Sequence, residues 1–217
     1  MTLSHTGLKN KTSRSFLMLW ISAMMGAMVL QGCSGTTLIP ATPDRITGYY
    51  MNKAESDKGR VKIDEAIPIT DYKRLIYIKP STQHFMNDKA DHIDQFARDM
   101  IDNIGFFDQV ATLSEFERLL LKTGIAYKVT NISDMIGLYQ VQKLLGNYLV
   151  AEFTFKLTPP HLDGTNSVAD LIIIDPATMK PVFHVQHRAF VVESFDQALF
   201  YPLFNSFIDW VNRNSVH

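Results

Sequence analysis

The sequence predicts an α/β (α+β) domain, a mixed and partly antiparallel sheet with helices packed on one or both faces. Three observations predict it. Residues 149–157 place Leu149, Ala151, Phe153, Phe155 and Leu157 on one face and Val150, Glu152, Thr154 and Lys156 on the other, the alternation of a half-buried strand. Val168–Asp175 and Val182–Val192 are two further β-rich runs, and the connection between them, Pro176 to Pro181, has the two prolines and the length of an antiparallel hairpin with a longer loop. Ahead of them, Ile93, Phe96, Ala97, Met100, Ile101 and Ile104 recur at three-and-four spacing, the pattern of an amphipathic helix.

The chain opens with a segment of another kind. Residues 1–15 are polar and carry only positive charge, from Lys9, Lys11 and Arg14, and Phe16 to Leu30 is an apolar run without a charged residue. This is the pattern of a secretory signal peptide. The run is shorter than the roughly 20 apolar residues that cross a bilayer core, so a cleaved leader over residues 1–32 is expected in place of a permanent helical anchor. Leu30-Gln31-Gly32-Cys33 follows, and Cys33 is the only cysteine. A thiolate is the side-chain nucleophile that a lipid donor alkylates, and Gly32 lets the backbone lie flat in a peptidase cleft. The tetrapeptide resembles the lipobox of bacterial lipoproteins. That resemblance implies cleavage between Gly32 and Cys33, a diacylglyceryl thioether on Cys33 and acylation of the new amino terminus. With two or three chains, each buried CH₂ contributing about 0.8 kcal/mol, such an anchor is long-lived. Ser34 in the next position implies, by the same resemblance, a place on the outer membrane facing the periplasm. The alternative, a buried core thiol, conflicts with a position directly behind an apolar leader, and no second cysteine exists for a disulfide.

Loss of the leader removes three of the 21 basic residues, so 18 then face 22 acidic ones and the net charge moves from −1 to −4. An acidic balance without a basic stripe interleaved with aromatics argues against a nucleic-acid partner. At 46% hydrophobic and 11% aromatic, the remainder is ordinary for one globular domain. Ser34 to Pro43, small and polar with two prolines, reads as a tether that at about 3.3 Å per residue holds a domain some 30 Å from the bilayer. The lead-in that follows contains one short strand, in the alternating VKIDEAIPI. The expected organisation is leader 1–32, lipidated cysteine with tether and lead-in 33–72, and a single α/β domain 73–217.

Leu75 to Ile78 is a short β-rich run closed by Pro80 and is the domain's first strand. The amphipathic helix over residues 93–104 stops at Gly105. Phe106 to Val110 suggests a short strand. Ser114-x-x-Glu117 has the form of a capping box for a second helix carrying Phe116, Leu119 and Leu120 and ended by Gly124. Ser133 and Asp134 start a third, with Ile136, Tyr139, Val141, Leu144 and Leu145, which Gly137 weakens and Gly146 ends. After the three strands, Ser194-x-x-Gln197 opens a last helix whose apolar face is Leu199, Phe200, Leu203, Phe204, Phe207, Ile208 and Val211. Pro202 either kinks it or marks a second start.

Catalytic chemistry finds little support. His184-x-x-His187 is the closest histidine pair, but residues three apart on a strand point to opposite faces and cannot share a metal. The expected outcome is one partly buried ring, His187, and one at the surface, His184. His84 and His92 fall in a loop and early helix, and His161-x-Asp163 in a turn; no HExxH motif occurs, and no metal is expected. There is no G-x-S-x-G elbow and no glycine-rich phosphate loop. Asp170 and Asp175, five apart, point to opposite faces, and Asp175 before Pro176 reads as a turn starter. Glu152 reads as a solvent-side strand residue, and the aromatic run Phe200, Phe204, Phe207 and Trp210 as core packing ahead of a docking face.

The order of a first strand, a long helix, the strand YLVAEFTFKL, the hairpin DLIIIDPATMKPVFHVQHRAF and a closing helix resembles the α/β domain of several envelope lipoproteins. These are the curli secretion lipoprotein, the LpoB-type activators of penicillin-binding proteins and the TolB amino-terminal domain. Ile172-Ile173-Ile174-Asp175-Pro176-Ala177-Thr178 carries it most closely, a strand ending in Asp before a turn containing Thr; a glycine usual in that turn is missing here. The likeness spans roughly Lys73 to Asn212 and transfers no functional residue. The expected function is a non-catalytic lipoprotein, membrane-bound through Cys33, with no cofactor beyond the covalent lipid, that docks or scaffolds another envelope protein. The alternatives are a carrier of lipid or peptidoglycan fragments, and a small periplasmic hydrolase using His184 or His187.

Overall fold

The computed structural model describes residues 39–50, 59–81, 90–157, 165–191 and 200–216. Six strands among them form one mixed sheet: β1 (Arg60–Asp64), β2 (Ile76–Lys79), β3 (Val110–Ala111), β4 (Leu149–Leu157), β5 (Thr165–Asp175) and β6 (Lys180–Val191). Their order is β1-β6-β5-β4-β2-β3. β1, β6, β5 and β4 pair antiparallel, whereas β4, β2 and β3 are parallel. The parallel part requires crossovers, supplied by α1 (Ala90–Asp102) between β2 and β3, and by α2 (Leu113–Lys122) and α3 (Met135–Leu145) between β3 and β4. A final helix, α4 (Tyr201–Asn214), closes the fold.

Each element follows from its residues, with two adjustments. Only Val110–Ala111 of the expected 106–110 strand is paired, opposite Ile76 and Tyr77. The capping box of α2 is Thr112 with Glu115, not Ser114 with Glu117: Thr112 donates its backbone N–H (2.8 Å) and its hydroxyl (3.0 Å) to the Glu115 carboxylate. α2 therefore starts as soon as Ala111 leaves the sheet. α3 is capped by Asp134, which accepts from the Gly137 N–H at 2.7 Å. Pro202 lies in the first turn of α4, so it marks a start and not a kink. The expected opening at Ser194 and Gln197 lies outside the described residues.

The hairpin of β5 and β6 turns through Pro176–Met179, with Asp175 opposite Lys180. Its register shifts between Ile173 and Ile174, where Pro181 is accommodated as proline must be within a sheet. Met179 has φ +56°, so the left-handed position that would suit the missing glycine is filled by a side chain.

Two cores lie on opposite faces. On one, α1 and α4 cover the sheet, packing Phe96, Met100, Phe204, Phe207 and Trp210 against Ala151, Phe153, Leu171 and Phe183. Phe153 meets Phe200 edge-on at 5.3 Å between centroids, and Phe183 stacks on Trp210 at 5.2 Å. On the other, α2 and α3 cover β3, β2 and the start of β4, burying Phe116, Leu120, Leu138 and Val141 on Tyr77, Tyr148 and Val150, and this core reaches the end of β5 through Ile174 and Ile172. No described helix covers β6, β1 and the first half of β5 on that second face.

The lead-in is built into this fold. β1 pairs with β6, and α4 holds the preceding and following segments. Trp210 Nε1 donates to the Glu65 carbonyl at 3.0 Å, and Ile67 N donates to Asn214 Oδ1 at 2.8 Å. Tyr50 N donates to Asn205 Oδ1 at 2.7 Å. Tyr50 itself is buried in the first core, where its hydroxyl donates to the Met100 carbonyl.

Candidate functional site

Gly32, Cys33 and the whole leader lie outside the described residues, as do His84, His161 and Asp163; His92 lies in α1. No described helix is long and apolar enough to cross a membrane. Among the described residues, no group of three or more His, Cys, Asp or Glu side chains is placed to hold a metal ion.

The half of the second face that no described helix covers carries a polar cluster. Alternation along β5 and β6 sends Leu171, Ile173, Phe183 and Val185 into the first core and leaves Asp170, Ile172, His184 and Gln186 on the opposite side. Asp170 is directly opposite Gln186 and diagonal to His184, within reach of both. Its Oδ1 lies 2.7 Å from His184 Nε2, and Gln186 Nε2 donates to its two oxygens at 3.0 and 3.3 Å. Lys62 on β1 brings an ammonium to 4.0 Å from the same carboxylate. Asp170 and His184 are each only 18% exposed. His184, expected as a surface ring, is thus largely covered and engaged; cross-strand neighbours close over it. When Nε2 carries the proton toward Asp170, Nδ1 is an acceptor, the arrangement of an oriented imidazole base.

His187 faces the other way, as the spacing predicts: it is opposite Ala169, whose side chain belongs to the first core. The two rings are not brought together. Glu152 is not a free solvent-side carboxylate, for it accepts from Lys79 Nζ at 2.6 Å across the parallel pair of β2 and β4. Asp175 is the turn starter. It is 5% exposed, and accepts from Ala177 N at 2.9 Å and the Thr178 hydroxyl at 3.1 Å. Burial pushes the pKa of the neighbouring Tyr72 hydroxyl up, and the Asp175 carboxylate, with which it bonds, pushes it further in the same direction. The aromatic run of α4 is core: Phe200, Phe204, Phe207 and Trp210 are fully buried.

In the sequence Asp170 is weighed only against Asp175, from which strand spacing parts it, and its bond to His184 is missed. Parity alone places Asp170, His184 and Gln186 on one side. Their contact needs the hairpin register, shift included. Among the described residues, the large apolar side chains that stay exposed include Leu121, Tyr127, Ile136 and Leu144 on the α2–α3 layer, and also Ile39, Ile46, Val61 on β1, Met179 in the β5–β6 turn and Val216.

No family model matches the chain, and no curated protein matches it in sequence. Solved structures similar to it include the PelC dodecamer from Paraburkholderia phytofirmans, at 8% identity and TM-score 0.41, covering 72% of this chain and 97% of that one. Another is lipoprotein GNA1162 from Neisseria meningitidis, at 14% identity and TM-score 0.40, covering 67% and 99%. The LpoB C-terminal domain from Salmonella enterica matches at 6% identity and TM-score 0.31, covering 56% and 84%. Identities this low transfer no residue role.

Proposed function

We propose that this protein is a lipid-anchored lipoprotein of the bacterial envelope whose folded domain docks another envelope protein without catalysing a reaction. The observation that carries the reading is the positively charged, then apolar leader running directly into Leu30-Gln31-Gly32-Cys33, with no other cysteine in the chain. The polar half of the sheet that no described helix covers supports the docking part, because side chains already held by one another lose little freedom when a partner covers them. Labelled palmitate is expected on the wild-type protein and not on Cys33→Ala; labelling of the variant refutes the anchor. A photoreactive residue at position 186 is expected to cross-link one envelope protein reproducibly in intact cells. Absence of any such adduct refutes docking through that face.

A hydrolase reading is favoured by one observation, the His184–Asp170 pair at 2.7 Å. It predicts that His184→Ala abolishes turnover of an ester or amide substrate while leaving partner cross-linking intact. Docking predicts the reverse.

A further inference from the structure

The chain joins the fold at one particular end of the sheet. Asn103, just beyond α1, donates its side-chain amide to the Ala41 carbonyl at 2.8 Å, and α1 finishes there on the way to the start of β3. This is the end at which the parallel strands β2, β3 and β4 begin. α2 leaves the opposite end after β3, and its 10 residues, about 15 Å long, run back toward it. α3 finishes at the same end, just ahead of β4, where Arg74 donates to the Leu145 carbonyl at 3.0 Å. Cys33 precedes Ala41 by eight residues, a span of at most about 29 Å.

The ends of α2 and α3 carry apolar and basic side chains together. Leu121, in the last turn of α2, is 56% exposed, Leu144, in the last turn of α3, 45%, and Tyr127, in the 3₁₀ turn Ala126–Lys128 directly after α2, 87%. Lys122, Lys128 and Lys143 adjoin them in the chain, all three exposed and none in an ion pair among the described residues. Lys143 lies over the Tyr139 ring at 5.1 Å, a contact that leaves its charge in place. The acids of this layer sit at its other end, Glu115 and Glu117 in the first half of α2 and Asp134 at the cap of α3. A lysine in the last turn of a helix complements the helix dipole, which accounts for Lys122 and Lys143. It accounts neither for Lys128 nor for three large apolar side chains left in water beside the cations, a combination that marks an interaction surface.

We propose that this end of the α2–α3 layer lies on a bilayer bearing anionic headgroups, with Leu121, Tyr127 and Leu144 entering the interface and Lys122, Lys128 and Lys143 meeting lipid phosphates. The inference rests on the lipid-anchored reading, since an anchor at Cys33 keeps this end within reach of the membrane. A tyrosine suits the headgroup level, where its ring meets acyl chains and its hydroxyl stays wet. A lysine near an anionic surface raises the membrane-bound population about fivefold. The lipid on Cys33 supplies retention; the contact through α2 and α3 supplies orientation. The Asp170–His184 cluster on β5 and β6 is not part of this surface and stays open to a protein partner.

The test uses the mature lipidated protein on preformed phosphatidylcholine vesicles, with and without phosphatidylglycerol, and with brominated acyl chains as quencher. Thr123→Cys and, at the far end of the sheet, Arg188→Cys each carry a polarity-sensitive dye at an exposed position; the lipidated Cys33 offers it no thiol. Quenching of the dye at 123 on phosphatidylglycerol vesicles, weaker quenching on neutral ones and none at 188 is expected. Lys122→Gln, Lys128→Gln and Lys143→Gln are each expected to lower the ratio of membrane-apposed to free domain about fivefold, and together about a hundredfold. Flotation with neutral vesicles reports the anchor separately, and failure to float refutes the anchor and this inference with it. A floating protein whose dye at 123 is never quenched, is quenched no more than the dye at 188, or is quenched equally after the lysine changes overturns the surface while the anchor stands. A dye response that needs no vesicles and grows with protein concentration assigns the surface to a second copy of the chain and likewise overturns it.

Discussion

Gly137→Ala offers the sharpest check on how the α2–α3 layer is packed. By helix propensity alone the change is favourable by about 1 kcal/mol, since glycine is the poorest ordinary residue in a helix interior. The structure reverses the sign. A Cβ at Gly137 would stand 1.3 Å from the Asn131 carbonyl oxygen and 2.4 Å from its carbonyl carbon, backbone atoms that no rotamer change can remove. The loop cannot simply swing aside, because Thr130 donates its N–H and its hydroxyl to Gln140 Oε1 at 3.1 and 3.2 Å. Overpacking costs roughly 1–3 kcal/mol, and two strained hydrogen bonds add about 1 kcal/mol each when lost. After the propensity gain, a net loss of about 2 kcal/mol or more remains. In a domain of this size that lowers the melting temperature by about 4–8 °C. Urea unfolding followed by circular dichroism, with an unchanged slope, measures it. Ile136→Ala, at a neighbouring exposed position, is expected to stay within about 0.5 kcal/mol of wild type. A Gly137→Ala protein as stable as the wild type would refute the close approach of loop and helix.

Asp170→Ala is expected to cost about 1–2 kcal/mol, because His184 and Gln186 lose their shared acceptor in a setting only partly open to water; a thermal shift indistinguishable from zero would contradict that pairing. Met179→Gly is expected to stabilise the protein by about 0.5–1 kcal/mol, as relief of the left-handed conformation exceeds the added freedom of the unfolded chain; a loss of stability would mean that the Met179 side chain packs usefully. Alkaline pH should unfold the domain. Burial raises the hydroxyls of Tyr50, Tyr77 and Tyr148 well above the ordinary tyrosine value, so their contribution to stability is complete below about pH 10 and is lost as the pH rises toward the folded-state values. Phenolate absorbance appearing together with loss of secondary structure is the expected result. Titration of all the tyrosines in a still-folded protein would argue against it.

Much of the fold is legible along the chain because the signals are local. The alternation in residues 149–157, the three-and-four spacing of residues 93–104 and the glycines at 105, 124 and 146 act within one element, and the structure places the elements there. The capping of α2 shows the limit of such signals. Thr112-x-x-Glu115 and Ser114-x-x-Glu117 both fit the box, and the choice between them depends on β3 pairing with β2 up to Ala111, a contact made across α1. Gly137 is a second case. In sequence it weakens a helix; in the fold it is the space that lets the preceding loop lie against that helix.

The sequence by itself determined the mixed α/β class, the antiparallel hairpin, the opposed orientation of His184 and His187, and the expectation of a lipid anchor at Cys33. These rest on periodicity, parity and short motifs, all properties of neighbours in the chain. Only the tertiary structure decided that β1 pairs beside β6, that Asp170 binds His184, that Lys79 pairs with Glu152, and that one half of one sheet face is left without a covering helix among the described residues. Those outcomes depend on strand order and register, set by the summed burial of many distant side chains, and no short stretch of the chain carries that information.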